Sequence, residues 1–199
     1  MDTTDGRQGG KDRSELERWK EPWWLPGASA QQRSAWNALE DCGLWGVLDQ
    51  WDPLLAGTVP IGLQLPGSDL DILCEVPERE MAELREVLTR RFGGLPGFGV
   101  SVRRVRGIPR LVARFDAGGW PVEVFGQPVP VRWQNGFRHM AAEQRILELR
   151  GEAFREEVMK LRRDGYKTEQ AFARLLGLAG DPYEAMLELA GRELPGSGK

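Results

Sequence analysis

The sequence predicts an α+β protein in which helices flank a mixed, largely antiparallel sheet and a helical extension forms the C-terminal part. Two strand-like segments, residues 54–65 and 68–76, precede an amphipathic helix at residues 77–94. Three further apolar segments with short glycine-bearing turns follow within residues 99–126, which is the pattern of an antiparallel meander. From Gln134 onward the apolar residues recur at helical spacing.

Composition is that of a globular chain large enough for one domain. Of its 199 residues, 41% are hydrophobic and 29% are charged, and the net charge is −3. With no overall basic field, a long nucleic-acid substrate is not expected. Two cysteines without a CxxC pair disfavour a zinc site. No apolar run is long enough for a membrane span, and the polar first ten residues lack a signal-peptide core, so we expect a cytoplasmic protein.

The first helix is predicted over residues 29–43. Ser29 is a suitable N-cap, Gln32 is its capping-box partner and Gly43 fits the C′ position. A short second helix follows over residues 44–53, which end in proline. The third helix, residues 77–94, has a proline near its first turn and ends at a glycine pair.

The C-terminal part contains four helical segments with recognisable starts. Thr168 and Asp181 are the predicted N-caps of the last two, and Pro182 fits the first position of the final helix. Their apolar residues, spaced as in helices, are interpreted as core rather than as a cofactor site.

The N-terminal segment is polar and glycine-containing, and we expect residues 1–18 to be a disordered tail. RWKEPWWLPG, which begins at Arg18, places three tryptophans among prolines. We interpret it as an irregular segment whose indole rings pack onto the domain surface. A docking patch for a partner is the alternative.

Asp69 and Asp71 lie at the start of an otherwise apolar strand. Because strand side chains alternate, both carboxylates and Leu73 share one face, and residues two apart are separated by about 6.5–7 Å. Two ionised carboxylates at this distance repel each other unless water or a cation separates them. Carboxylate oxygens are preferred ligands of Mg²⁺, which suggests half of a metal site. A solvated edge strand without function is the alternative for this pair alone.

Glu123 is a third acidic residue within an apolar strand, flanked by Val122 and Val124. A carboxylate in such a position needs a partner. As a structural residue it would pair with Arg110 or Arg114. As a functional residue it would complete a metal-binding triad or act as a base.

A glycine and a hydroxyl residue, Gly57 and Thr58, precede the acidic pair by ten intervening residues, and Ser68 leads directly into the acidic strand. Such small residues can bring backbone N–H groups close to phosphate oxygens, although they are also plain turn formers.

Together, Gly57-Thr58, the ten-residue spacer, the Asp-Leu-Asp pair and the apolar-flanked Glu123 resemble the active-site signature of the DNA polymerase β-like nucleotidyltransferase superfamily, over about residues 50–126. More of the chain, about residues 30–190, resembles a bacterial family of uncharacterised proteins placed in that superfamily. The segments that carry this second resemblance are GTVPIGLQLPGSDLDILC, PVEVFGQPVPV, NGFRHM and KTEQAFARLLGLAGDPYEAMLEL.

The resemblance implies a sheet of the nucleotidyltransferase type and a metal-dependent enzyme that moves a nucleoside monophosphate from a nucleoside triphosphate to an unidentified acceptor. Asp69 and Asp71 would ligate Mg²⁺ or Mn²⁺, and Glu123 would ligate the catalytic ion or activate the acceptor hydroxyl. The C-terminal helices would form the second wall of the substrate cleft. Small molecules, proteins and RNA ends all remain as acceptors.

Gly57, Thr58 and Ser68 would then contact the triphosphate. Many superfamily members carry an arginine shortly after the Gly-Ser pair, whereas this chain has Val-Pro-Ile at residues 59–61. The usual polar phosphate contact is therefore missing from this loop. That departure bears on how a nucleotide would bind.

Three further residues are candidates for the same cleft. Arg114 would reach the triphosphate or pair with Glu123, while Arg138 and His139 are close in sequence to Gln127 and Glu123. A structural role is the alternative for His139. For the other arginines of the neighbouring strands, Arg103, Arg104 and Arg106, a solvated hairpin is the alternative.

We expect a tail at residues 1–18, a catalytic core at 19–133 and a helical region at 134–192 packed on the core. The main alternative function is a degenerate module that binds a nucleotide or a partner as a regulator. A toxin of a toxin–antitoxin pair would share the same fold and chemistry. Sequence does not select the acceptor, the nucleotide or the oligomeric state.

Overall fold

The computed structural model describes residues 16–20, 22 and 24–190. Within these residues a five-stranded sheet has the order β1-β2-β5-β4-β3, with helices packed against both of its faces. The predicted α+β class with a mixed, largely antiparallel sheet is confirmed. No helix among the described residues has the length and apolar character that crossing a membrane requires.

The elements follow the predicted order. The strands are β1 Leu54–Ala56, β2 Leu70–Glu75, β3 Gly99–Val105, β4 Ile108–Ala117 and β5 Trp120–Gln127. The helices are α1 Ala30–Asp41, α2 Leu44–Leu48, α3 Met81–Phe92, α4 Asn135–Arg150, α5 Glu152–Arg163, α6 Thr168–Leu176 and α7 Pro182–Ala190. The segment expected to be strand-like over residues 54–65 forms only the short β1, and residues after it turn away from the sheet.

One parallel strand pairing brings two of the candidate site residues together. Strands β3, β4 and β5 form the expected antiparallel meander, and β1 is antiparallel to β2. The contact between β2 and β5 is parallel, with Asp71 opposite Glu123. Residues far apart in sequence thus become neighbours across the sheet.

Each face of the sheet covers its own core. Leu70, Ile72 and Cys74 pack with α1 to α3 in one apolar cluster, as expected from the alternation of side chains. Leu73 and Phe125 face the other way, toward a second cluster built with the C-terminal helices. The acidic residues of β2 and β5 therefore lie on the face that α4 to α7 partly cover.

Most of the predicted caps are observed. The Ser29 hydroxyl accepts a hydrogen bond from the Gln32 N–H, and the Gln32 side chain accepts one from the Ser29 N–H. Asp181 accepts hydrogen bonds from the backbone N–H groups at the start of α7. Thr168 is not a cap, because it is already the first residue of α6 and the Lys167 N–H is capped by the Gln170 side chain.

The tryptophan segment packs onto the domain. Residues 16–20 are helical, although the tail was expected to reach residue 18, and the rest of that tail lies outside the described residues. Trp19 is buried against Phe137 in an edge-on contact, and Trp24 is buried edge-on against Trp36. For these two indole rings the interpretation as surface packing is confirmed; Trp23 lies outside the described residues.

Candidate active site

The three acidic residues meet on one face of the sheet. The β2–β5 pairing sets Asp71 directly opposite Glu123, and Asp69 precedes β2 on the same side. One carboxylate oxygen from each residue lies within 4.8 Å of the other two. This is close enough for one cation to contact all three side chains, so the convergence that the sequence only suggested is present in the structure.

Arg114 continues this row across the sheet. It lies opposite Glu123 in the β4–β5 pairing, and its Nε is 2.5 Å from Oε1 of Glu123 while its Nη2 is 3.2 Å from Oε2. The bidentate geometry orients the carboxylate. The register thus selects Arg114 over Arg110 as the partner of Glu123.

The electrostatics of Asp71 fit a cation site. Burial raises the pKa of Asp71 to about 7, and the nearby charges of Asp69, Glu123 and Glu169 add to this increase. A cation bound beside this carboxyl group would favour its ionised form, because the positive charge offsets the effects of burial and of the neighbouring carboxylates.

Gly57 leaves little room for a side chain beside Asp71. Its φ of +80° lies in the region that side chains disfavour, and a Cβ atom at this position would be 2.8 Å from Oδ2 of Asp71. The backbone after β1 therefore lies directly against a candidate ligand carboxylate. A larger residue would have to displace either the loop or the carboxylate.

The apolar residues after Thr58 point into the protein and away from the cleft. Val59 belongs to one core cluster, and Ile61 belongs to the other. The Gln32 side chain donates to the Val59 carbonyl at 2.7 Å, and Arg155 donates to the Ile61 carbonyl at 2.6 Å. The Val-Pro-Ile sequence thus anchors the loop, while Gly57 and Thr58 remain at the cleft surface.

A cleft of about 610 Å³ opens beside the triad between the sheet and the C-terminal helices. Its wall on the side of the sheet includes Ala56, Gly57, Thr58, Ser68, Asp69 and Asp71. Its helical wall includes His139, Glu143, Arg162, Lys167, Thr168, Glu169 and Tyr183. Helices α4 to α7 therefore form the second wall that was expected of them.

The helical wall carries its own charges. Arg162 is half-buried and donates to the Thr168 hydroxyl. It interacts electrostatically with Glu143 and Glu169 of the same wall and, to a smaller extent, with Asp69. Glu143 is only 3% exposed, and burial raises its pKa well above the usual range, with the charge of Glu169 adding to the effect. Lys167 is exposed. Two cationic side chains therefore face a cleft whose opposite wall is acidic.

His139 lines the cleft, but neighbouring groups occupy both of its ring nitrogens. Nδ1 lies 3.2 Å from Oε1 of Glu169, and Nε2 lies 3.2 Å from the carbonyl oxygen of Tyr183. Burial alone would raise the pKa of Glu169, but the hydrogen bond with His139 lowers it below the usual value. The histidine thus joins α4 to α6 and α7.

The remaining predicted site residues differ in whether they line the cleft. Ser68 lines the cleft, but its hydroxyl accepts a hydrogen bond from the Leu65 N–H at 2.9 Å. Glu123 and Arg114 lie beside the cleft lining rather than in it. Arg138 does not line the cleft, and its guanidinium donates to the Leu187 carbonyl at 3.3 Å.

Sequence reasoning did not identify the polar residues of the helical wall. Arg162, Lys167 and Glu169 lie around the junction of α5 and α6, in segments interpreted mainly as core helices. The run Lys-Thr-Glu at 167–169 was a signal, because polar residues at a helix start are exposed to whatever faces it. Trp133 also lines the cleft and was not singled out.

The model of the family described as "Domain of unknown function (DUF4269)" matches residues 37–189. This match confirms the predicted membership in a family of uncharacterised proteins. No curated protein matches the sequence.

Several solved structures are similar to this chain. A Cid1 poly(U) polymerase with bound MgGTP is 15% identical with a TM-score of 0.49, over 68% of this chain and 42% of that chain. The polymerase core of TRAMP, an RNA surveillance complex, is 16% identical with a TM-score of 0.43, over 80% of this chain and 55% of that chain. The chain therefore spans about half the length of these polymerases.

Proposed function

The chain belongs to the DUF4269 family, and we propose that it is a metal-dependent nucleotidyltransferase that moves a nucleoside monophosphate from a nucleoside triphosphate to an acceptor. The observation that carries the proposal is the convergence of Asp69, Asp71 and Glu123 within 4.8 Å beside a cleft of about 610 Å³. Full ionisation of three carboxylates at this distance is opposed by repulsion, which a bound cation would relieve.

The donor set fits a hard divalent cation. All three candidate ligands are carboxylates, which suit Mg²⁺ or Mn²⁺ and do not provide the nitrogen or sulfur donors typical of zinc sites. The raised pKa of Asp71 also fits a group that is ionised most readily beside a cation. When bound, the ion would neutralise phosphate charge and favour attack at phosphorus.

The chain's own residues would bind and orient the nucleotide. Gly57 and Thr58 line the cleft next to the acidic pair, where backbone N–H groups can approach phosphate oxygens. Arg162 and Lys167 lie on the opposite wall and supply positive charge for a triphosphate. This wall would replace the arginine that is missing from the Val-Pro-Ile loop.

In the proposed reaction the acceptor hydroxyl oxygen bonds to the α-phosphorus while the bond from that phosphorus to the bridging oxygen breaks. Pyrophosphate leaves with the electron pair of that bond. Glu123, oriented by Arg114, would accept the proton of the hydroxyl. Positioning of the two substrates would provide much of the rate enhancement. A nucleoside triphosphate substrate is compatible with the cytoplasmic location expected from the sequence.

One observation favours a second candidate, a regulatory module that binds a nucleotide without transferring it. Arg114 already compensates the charge of Glu123, so part of the acidic cluster is neutralised by the protein itself. A site that has adapted to work without a metal would show such a pair.

Label transfer distinguishes the two. The protein would be incubated with Mg²⁺ or Mn²⁺, each α-labelled nucleoside triphosphate and a cell extract, beside the Asp69→Asn/Asp71→Asn variant. We expect an acceptor to become labelled only with the intact aspartates. Nucleotide binding by the intact protein without transfer to any acceptor would instead support the regulatory module.

A further inference from the structure

Among the residues that the structure describes, none covers one face of the half-sheet formed by β3 and β4, beside the triad. The C-terminal helices pack on Leu73 of β2 and Phe125 of β5. On the same face, the β4 residues Arg110 and Arg114 are exposed. The open face therefore begins where the row of acidic residues ends.

Two arginines lie directly opposite each other on this face. Arg103 of β3 is the cross-strand neighbour of Arg110 of β4, both are exposed, and neither makes a hydrogen bond or ion pair with any residue that the structure describes. Like charges in directly opposed positions destabilise a sheet. The neighbouring Arg104, whose side chain points to the other face, is paired with Glu78. Within these two strands, the arginine of the other face is thus paired, whereas the two opposed arginines of the open face are not.

An exposed aromatic ring lies in the cleft that Arg110 also lines. Trp133 is 54% exposed and lines the same cleft as Arg110 and Ile108. The Arg132 guanidinium lies 5.7 Å from the centre of the indole ring. A large exposed ring with cations beside it is the combination that binds unpaired bases of single-stranded nucleic acids, by stacking and charge attraction.

We propose that this face binds a short stretch of single-stranded nucleic acid, with backbone phosphates at Arg103 and Arg110 and a base stacked on Trp133. Arg110 lies four residues along β4 from Arg114, about 13 Å. A strand held there would extend to the triad within a few nucleotides.

That the strand's end is the acceptor rests on the proposed function. Its terminal hydroxyl oxygen would form the new bond to the α-phosphorus, pyrophosphate would leave with the electrons of the broken bond, and the proton would go to Glu123. The local nature of the basic face agrees with a net charge of −3, which disfavours a long duplex.

Fluorescence anisotropy with a labelled single strand of about eight nucleotides tests the binding. We expect the intact protein to bind it without metal or triphosphate. The R103Q/R110Q variant should lower the steepness of the salt dependence by about 1.4, because each phosphate that is no longer neutralised reduces the slope by about 0.7. W133A should weaken binding about tenfold, since the base can no longer stack on the indole ring. R90Q/R91Q, which removes the same charge from exposed positions of α3 on the opposite side of the sheet, should change neither property.

Three results would overturn the inference: equal losses of affinity in R103Q/R110Q and R90Q/R91Q, equally tight binding of a duplex of the same sequence, or equally effective competition by inorganic tripolyphosphate. The D69N/D71N variant should still bind the strand. Strand binding without any label transfer would contradict the proposed function alone, whereas transfer to a small molecule without strand binding would contradict this inference alone.

Discussion

The two walls of the cleft differ in how the chain builds them. On the sheet wall, Asp71 and Glu123 are fixed by one parallel strand pairing, and Gly57 is pressed against Asp71. On the helical wall, Arg162 and Glu169 come from separate helices and are held by contacts with Thr168 and His139. The sheet wall is thus a cluster of carboxylates whose positions are fixed by strand pairing. The helical wall supplies side chains whose position depends on how helices pack.

Removing a candidate ligand from the sheet wall should have the largest effect. For Asp71→Asn we expect Mn²⁺ affinity to fall by about 100-fold or more, since even residues that only orient metal ligands contribute 10–100-fold. The metal-free variant should also melt at a higher temperature than the metal-free wild type at pH 8. Asp71 is largely ionised at this pH, and burial and repulsion disfavour its charge, whereas Asn carries no charge. Manganese binding followed by electron paramagnetic resonance and thermal melting would measure both. An unchanged affinity would show that the metal does not bind at the triad.

A change beside the ligand should have the next largest effect. Gly57→Ala places a methyl group 2.8 Å from Oδ2 of Asp71, so the carboxylate or the loop must move, and we expect about a tenfold loss of Mn²⁺ affinity. Gly67→Ala is the matched control, because Gly67 also has a positive φ, +83°, but no atom of the described part of the chain lies within 4 Å of the added Cβ. Similar losses of affinity in the two variants would mean that backbone strain, and not contact with Asp71, is responsible.

The pH dependence of the stability of the metal-free protein would test the electrostatics of the sheet wall. The folded metal-free protein keeps a proton on Asp71 up to about pH 7, whereas the usual value is 3.8, so it binds more protons than the unfolded chain in this range. Stability of the metal-free protein should therefore fall as pH rises from about 4 to 7.

Metal affinity should change with pH in the opposite direction. Because a cation needs the ionised carboxylate, Mn²⁺ affinity should rise by up to about tenfold per pH unit below pH 7 and level off above it. Calorimetric titration at several pH values would measure this slope. A wild-type slope equal to that of Asp71→Asn would assign the proton to another group.

The sequence predicted the sheet wall well because its signals are local. Alternation of side chains assigned Asp69 and Asp71 to one face, and the flanking valines identified the strand of Glu123. What remained open was non-local. Only the strand register chooses between Arg110 and Arg114 as the partner of Glu123, and the pairing of β2 with β5 spans about fifty residues of chain.

The helical wall was harder to predict for a physical reason. Helical periodicity shows which residues are polar, but the packing of one helix on another decides which polar residues face a cleft. Adjacent residues on a helix point in different directions, so His139 reaches the cleft while Arg138 bonds to the Leu187 carbonyl. Arg162 and Lys167 come together only because the chain turns between α5 and α6.

The smallest expected effect is on the helical wall and separates its role from that of the sheet wall. Lys167 is exposed, so Lys167→Ala should weaken nucleoside triphosphate binding by only about 2–5-fold, the range of an exposed charge interaction of at most about 1 kcal/mol. Mn²⁺ affinity measured without nucleotide should not change, because Lys167 is not among the carboxylates of the triad. Lys160→Ala, which removes another exposed cation, from a position of α5 that does not line the cleft, is the control. If Lys167→Ala altered metal affinity but not nucleotide affinity, the two walls would not divide metal and nucleotide between them.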